Sequence, residues 1–291
     1  MEELDIYGEK GGSGHTPTES KDTLKSQQTM RLLFALSEGE IDSVSDILVN
    51  SASISNFDSK VVTWETRTGT LDQTTIKGFS DVEAPLAGAG TFPIELKYNV
   101  EKIYTLLGQY DAGRITLSMD RLMKITDQGD RVGYEVFLDV YKRRKLANGT
   151  TENWQLASEI TKKGKCTNVY AWDVRVDKPA GTLFEDSWEI KIVRTSLDDS
   201  EDKYMSKTFL SNIITITEKT LTYPKTALVG VTIYDAKTFG TSIPELKFKV
   251  KGIKFLLPTN YTASSRNYNE STPWNGSFKS YTEYTDNLAW V

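Results

Sequence analysis

The sequence predicts a mainly β protein with an antiparallel sandwich or barrel in its middle. Two observations predict it: apolar and polar residues alternate with period two, and turn-forming residues separate the alternating runs. Ile115, Leu117 and Met119 alternate with Arg114, Thr116 and Ser118. Tyr134, Val136, Leu138 and Val140 alternate with Glu135, Phe137 and Asp139. The same pattern runs through Tyr170, Trp172, Val174 and Val176, and again through Trp188, Ile190 and Ile192. Asp127-Gln128-Gly129-Asp130 and Ala147-Asn148-Gly149 read as turns between them. Half-buried strands in close succession suit antiparallel sheets with one face on a core. Trp172 and Trp188 fall on the apolar faces and read as core.

On either side of this region the elements are less regular. Residues 1–22 are polar and centred on Gly11-Gly12-Ser13-Gly14. Such a composition cannot bury enough apolar surface to hold itself folded, so it reads as an arm that is flexible or ordered by a partner. No Lys-Ser/Thr pair follows at phosphate-loop spacing and no strand precedes it. Met30, Leu32, Phe34 and Leu36 alternate with polar or small residues, but Leu33 blurs the period and the residue types also favour helix. Ile47-Leu48-Val49 and the run from Ala52 to Ile54 flank a turn at Asn50-Ser51, and Val61 to Thr68 reads as a strand. Gly78 to Pro93, rich in Gly, Ala and Pro, reads as a loop. Asp198-Asp199-Ser200-Glu201-Asp202 lacks calcium-loop spacing and reads as a solvated linker at a domain boundary. Ile213 to Thr217, Ala227 to Ile233 and Leu246 to Phe255 follow as strands, the last with Lys247, Lys249 and Lys251 on its solvent face. Residues 258–291 form a polar stretch without period, studded with Tyr261, Tyr268, Trp274, Phe278, Tyr281, Tyr284 and Trp290. Long stretches of this kind are usually functional or bound to a partner, and Tyr and Trp suit interfaces or stacking on sugars.

Bulk properties remove several function classes. The chain has 291 residues, 38% hydrophobic and 26% charged, with a formal net charge of -5. No basic field is present to attract nucleic acid. No apolar run is long enough to span a bilayer, and the acidic start Met1-Glu2-Glu3-Leu4-Asp5 has no signal-peptide core. Synthesis and assembly in a cytoplasm are therefore expected. The one cysteine, Cys166, excludes an internal disulfide and a Cys-based metal site within the chain. The one histidine, His15, lies in the arm, a poor place for a catalytic base that must be held beside a nucleophile. No cofactor is expected.

A set of short motifs adds a family resemblance. Gly14-His15-Thr16-Pro17 is followed by Lys21-Asp22-Thr23-Leu24-Lys25-Ser26 and then by Leu36-Ser37-Glu38-Gly39-Glu40-Ile41. In the last third come Tyr223-Pro224-Lys225-Thr226-Ala227-Leu228-Val229-Gly230-Val231, Phe239-Gly240, and Leu257-Pro258-Thr259-Asn260-Tyr261. Trp274-Asn275-Gly276-Ser277-Phe278-Lys279 and Asn287-Leu288-Ala289-Trp290 close the series. In order and spacing these resemble the tail tip attachment proteins, also called host specificity proteins J, of lambda-like siphophages. The match over residues 100–200 is loose. The resemblance implies a hub domain made of two separated segments, residues 23–99 and 203–291, with a second β domain inserted at 100–202. It tips residues 30–36 toward strand. It implies a homotrimeric hub that closes the tail tube and binds neighbouring tip proteins, the tube and the tape-measure protein. Its location would be the virion tail tip, after assembly in the host cytoplasm. Proteins of this family continue well beyond the Asn-x-Ala-Trp motif, through further hub domains, fibronectin-like modules and a receptor-binding tip. The chain is therefore expected to be a fragment or the product of a split gene.

The residues carrying this resemblance are the candidates for interface roles: His15, Thr16, Pro17, Lys21, Asp22, Glu38, Gly39, Tyr223, Pro224, Gly230, Trp274, Gly276, Phe278 and Trp290. A non-enzymatic structural role is the leading expectation. A carbohydrate-binding β-sandwich at a cell surface is the alternative, supported by an aromatic content of 11%. A glycosidase using paired carboxylates has no local motif behind it among the 40 acidic residues.

Overall fold

The computed structural model describes residues 15–234, 239 and 243–287. Among them the chain is built of strands, with one turn of 3-10 helix at Ile54–Asn56 and no α-helix. It divides into two compact units. The first joins the described part of Met1–Ser26 to Glu83–Thr217, and the second joins Gln27–Val82 to the described part of Glu218–Val291.

The first unit is an antiparallel sandwich. One sheet runs in the order Gln155–Gly164, Tyr134–Lys145, Ser187–Arg194, Lys102–Leu107. The other runs Tyr170–Asp177, Ala112–Met119, Thr208–Glu218, Asp81–Pro85, with Ile94–Leu96 also paired to Thr208–Glu218. The alternation legible in the sequence sends Val136, Leu138 and Val140 inward from one sheet and Ile115, Leu117 and Met119 from the other, all fully buried. Trp188 is wholly enclosed between them, while Trp172 is partly buried and stacks on Tyr170 at 5.4 Å. Gly113 lets the sheets approach here, since a Cβ at this position would stand 2.8 Å from Ile190 Cδ1. No closed barrel forms among the described residues, because the strand order leaves open edges.

In the second unit, Met30–Glu38 pairs with Thr226–Ile233, and Thr226–Ile233 pairs in turn with Val62–Thr68, both antiparallel. A second sheet runs Phe278–Tyr284, Leu246–Pro258, Ile41–Val49, Ala52–Ser53. Val229, Val231, Ile233, Val62, Ile47 and Val49 form the shared buried cluster. Phe34 and Phe248 add an aromatic contact at 5.1 Å. Asn50 and Ser51 turn the chain with φ of 47° and 70°, as the two-residue hairpin between strands requires.

The structure bears out the strand reading of residues 30–36 and corrects three other expectations. Met30–Glu38 is a strand, which resolves the rivalry with helix; its ladder to Thr226–Ile233 outweighs local propensity. The expected loop from Gly78 to Pro93 contains the strand Asp81–Pro85. The aperiodic stretch after residue 258 contains the strands Tyr261–Thr262, Asn267–Tyr268 and Phe278–Tyr284. The acidic run at residues 198–202 is not a linker between units but a loop inside the first one. The loop is tied to buried groups: Arg194, 1% exposed, donates to Leu197 O at 2.9 Å and to Ser206 Oγ at 2.7 Å, and its guanidinium lies 3.8 Å from Asp198 Oδ1. Asp199 accepts from the Ser206 amide at 2.8 Å and from its hydroxyl, while Asp198 accepts from the Tyr98 amide at 3.1 Å. A charge run that holds a buried serine, as Asp199 holds Ser206, cannot be told from a solvated one by composition. Lys249 and Lys251 do lie on a solvent face, each near an aspartate of the neighbouring strand, Asp46 at 3.2 Å and Asp42 at 3.8 Å.

Leu138, fully buried at the centre of the sandwich, tests this packing. Leu138→Ala is expected to destabilise the protein by about 2–5 kcal/mol through lost transfer energy and a residual cavity. Chemical denaturation followed by tryptophan fluorescence measures it.

Candidate functional site

The motif residues fall on three local arrangements. The first is the arm, whose described residues are seated on the first unit. Here the turn read from Asp127-Gln128-Gly129-Asp130 forms: the Gly129 amide donates to Thr126 O at 2.9 Å, with Gly129 at φ +87°. This turn presents the Asp130 carboxylate outward. Asp130 Oδ1 accepts from the Thr18 amide at 2.7 Å and the Thr18 hydroxyl at 2.8 Å, and lies 2.8 Å from His15 Nε2. Pro17 packs over Gly129, where a Cβ would stand 3.1 Å from the proline ring. Arg131 then donates its amide to Thr18 O at 2.9 Å and accepts from the Ser20 amide at 3.0 Å, so the arm runs alongside as a short extended segment.

Further along, Lys165 anchors the arm. Its side chain is 3% exposed, and Nζ donates to Glu19 Oε1 and Asp22 Oδ1, both at 2.8 Å. The other Asp22 oxygen accepts from the Thr167 amide at 3.0 Å and the Thr167 hydroxyl at 2.6 Å. Thr23 and Leu24 donate their amides to Lys165 O at 2.9 and 3.0 Å, and Thr23 Oγ1 accepts from the Lys165 amide at 3.0 Å. Gly164 makes room, because any side chain there would collide with Thr23 Oγ1. Ser26 ends the seat, accepting from the Ala171 amide at 2.8 Å. Thr16 and Lys21 of the same motif are exposed.

These contacts set the charge states. The Lys165 hydrogen bond, followed by the Thr167 hydroxyl and amide, lowers the Asp22 pKa to about 2. The Thr18 amide, then His15 and the Thr18 hydroxyl, lower the Asp130 pKa to about 2. Glu19 is also lowered, by its hydrogen bond and charge attraction to Lys165. Burial opposes the Lys165 ammonium, but its bonds to Asp22 and Glu19 outweigh that and leave its pKa raised.

The second arrangement, in the second unit, is a clasped turn. Tyr223 and Lys225 adopt φ of 48° and 62° around Pro224. Buried Gln73 holds them: Nε2 lies 2.8, 2.6 and 3.0 Å from the carbonyls of Thr222, Tyr223 and Thr226, and Oε1 accepts from the Gly69 amide at 2.9 Å. Gly39, at φ +94°, donates its amide to Lys225 O at 2.6 Å, and Glu38 pairs with Thr226 in the ladder. Glu38, Gly39, Tyr223 and Pro224, far apart in sequence, thus meet at one end of one sheet. Gly230 lies further up the same strand under the segment 76–79, where a Cβ would stand 2.5 Å from Ile76 Cγ2.

The third arrangement is the stretch around Trp274, on the other sheet of that unit. Gly276 turns at φ +88°, and Trp274 Nε1 donates to Ser277 O at 2.6 Å. The Trp274 and Phe278 rings meet edge to face at 5.3 Å, and each residue is 48% exposed. These aromatics are surface groups held in fixed positions and not core. Trp290 lies outside the described residues.

Asp130, Lys165, Thr167 and Gln73 escaped the sequence reading. The turn at Asp130 was legible, but nothing marked it as a landing site. Lys165 follows Lys162, Lys163 and Gly164, and its burial has no periodic signal. Among the described residues, no group of three or more His, Cys, Asp or Glu side chains is placed to hold a metal ion.

The fold therefore defines a class: an all-β protein of two units, one an inserted sandwich and the other made of segments on either side of it. Comparison with known proteins narrows the class. Residues 91–219 match the family model of the FNIII-A domain of tip attachment protein J. Tip attachment protein J of Escherichia phage SECphi4 is 30% identical over 98% of this chain and 25% of its own length. Tip attachment protein J of Escherichia phage SECphi27 is 30% identical over 98% of this chain and 23% of its own. The chain is thus similar to tip attachment proteins J along nearly its whole length, and it spans about a quarter of the length of these relatives. The stretch that matches the FNIII-A model, residues 91–219, falls on the sandwich of the first unit. Among solved structures, the stem and receptor-binding domain of spike protein P1 from bacteriophage PM2 aligns with 74% of this chain and 99% of its own at 12% identity and a TM-score of 0.25.

The arm's pH response follows from the carboxylates. Their folded-state pKa values lie below the ordinary 3.8, so the stabilisation they give is complete above that value and is lost as pH falls through about 2. Amide resonances of Thr18, Thr23 and Leu24 are expected to move together toward unbound positions between pH 3.8 and 2. Resonances unchanged down to pH 2 would contradict this.

Proposed function

We propose that the chain is a structural, non-catalytic component of a phage tail tip. In this reading copies assemble as a trimeric hub that closes the tail tube and binds neighbouring tip proteins, the tube and the tape-measure protein. The observation that carries the proposal is the relationship to tip attachment proteins J along 98% of the chain. The interrupted second unit is read as the hub domain and the first unit as its insert. A ring-forming protein needs surfaces that fit a rotated copy of itself, and not a reactive cleft. Trp274 and Phe278 supply exposed aromatic surface in fixed positions, which loses little side-chain freedom on binding. The motif residues of the arm and of the Tyr223 turn are proposed as elements that shape hub surfaces, the arm from its seat and the turn through the Gln73 clasp. The hub is assembled in the host cytoplasm and resides at the virion tail tip.

Exposure of Trp274 also supports a second reading, a carbohydrate-binding module, since a half-exposed indole is what stacking on a sugar requires. Immunogold electron microscopy of source-phage virions, intact and mildly disrupted, separates the two. Gold confined to the tail tip is the expected result. Protein present in the lysate yet never found on intact or disrupted virions would remove the hub reading and favour glycan screening.

A further inference from the structure

The arm's seat has a property that the hub reading does not use. Every bond that holds residues 15–26 is made to the first unit, to partners 111 to 146 residues away in sequence. The chain then passes at Gln27 into the second unit through Gln27, Gln28 and Thr29, all exposed, before the strand beginning at Met30. We propose that this seat is an exchange site, filled in the assembled protein by the arm of a second copy of this chain. The inference rests on the hub reading, because it requires copies held side by side.

The chemistry of the seat identifies its occupant. Lys165 is 2% exposed, and with the seat empty its ammonium would lose both carboxylates that compensate its burial. The seat therefore favours an occupant over vacancy. It needs carboxylates spaced as Glu19 and Asp22, a hydroxyl and amide at Thr18 for Asp130, and a hydroxyl at Ser26 for the Ala171 amide. A generic acidic peptide offers the first of these and lacks the rest. The arm of another copy offers all of them, and each bond made within one chain can be made between two. Exchange therefore costs no contacts, and the balance is set by the short connector and by the local concentration of neighbouring arms. In a ring, each subunit would then be strapped to the next.

Disulfide capture reads out which arm fills which seat. Glu19 and Arg131 are bridge partners, so cysteines at these positions face one another. Chains carrying Glu19→Cys with one affinity tag and Arg131→Cys with another are co-expressed, and the oligomer is run on a non-reducing gel. The native Cys166 is 1% exposed, and each variant expressed alone sets its background. The expected result is a disulfide joining the two tags. Should either variant fail to fold, Ser26→Cys with Ala171→Cys repeats the test at the other end of the seat. An oligomer with no disulfide between tags, in which a chain bearing both cysteines closes only on itself, overturns exchange and leaves the hub reading standing. A chain that stays monomeric at every concentration overturns both.

Discussion

The second unit depends on a pairing made across the whole insert. Met30–Glu38 lies beside Thr226–Ile233, so strands almost 200 positions apart in the chain must meet before Val229, Val231 and Ile233 have anything to cover. The ends of the insert are brought together locally, with the Lys219 amide donating to Ser80 O at 2.9 Å where the chain leaves and returns. Closing such a long loop adds little entropy beyond closing a shorter one, because the cost grows only with the logarithm of length. A folded insert with neighbouring ends reduces that cost further. This is the physical reason a sandwich can interrupt a sheet without dissolving it.

Buried polar nodes then fix the details that apolar packing leaves open. Gln73 holds the Tyr223 turn, Lys165 holds the arm, and Arg194 organises the acidic loop. Asp186, 5% exposed, accepts from the amides of Leu183 and Ala147 and from Arg144 Nε, tying three segments at one edge of the sandwich. Each node is costly if a partner is lost, so each specifies one arrangement of loops. Together they fix loops and turns in each unit that apolar packing alone would leave unspecified.

Legibility in the sequence followed burial on one face. Ala112–Met119, Tyr134–Lys145, Tyr170–Asp177 and Ser187–Arg194 were readable because alternate residues face a core. Gln155–Gly164 was not, because it is a polar strand at the edge of its sheet, with Ile160 as its one buried residue. Short strands such as Tyr261–Thr262 are too brief to show a period. The motifs fall on the arm and on the Tyr223 turn, yet they do not include the groups that hold these segments in place. Asp130, Lys165 and Gln73 act through distances set by the whole fold, and no spacing in the chain announces those distances.

The account stands on two separately packed cores, one of them made from both sides of an insert. Native-state hydrogen exchange on a Val231→Ala chain tests it most directly, since Val231 is wholly buried in the second unit. The account predicts that amides of Met30–Glu38 and Val62–Thr68 lose protection together, while those of Tyr134–Lys145 and Ser187–Arg194 keep theirs. Equal loss of protection in all four strands would contradict it.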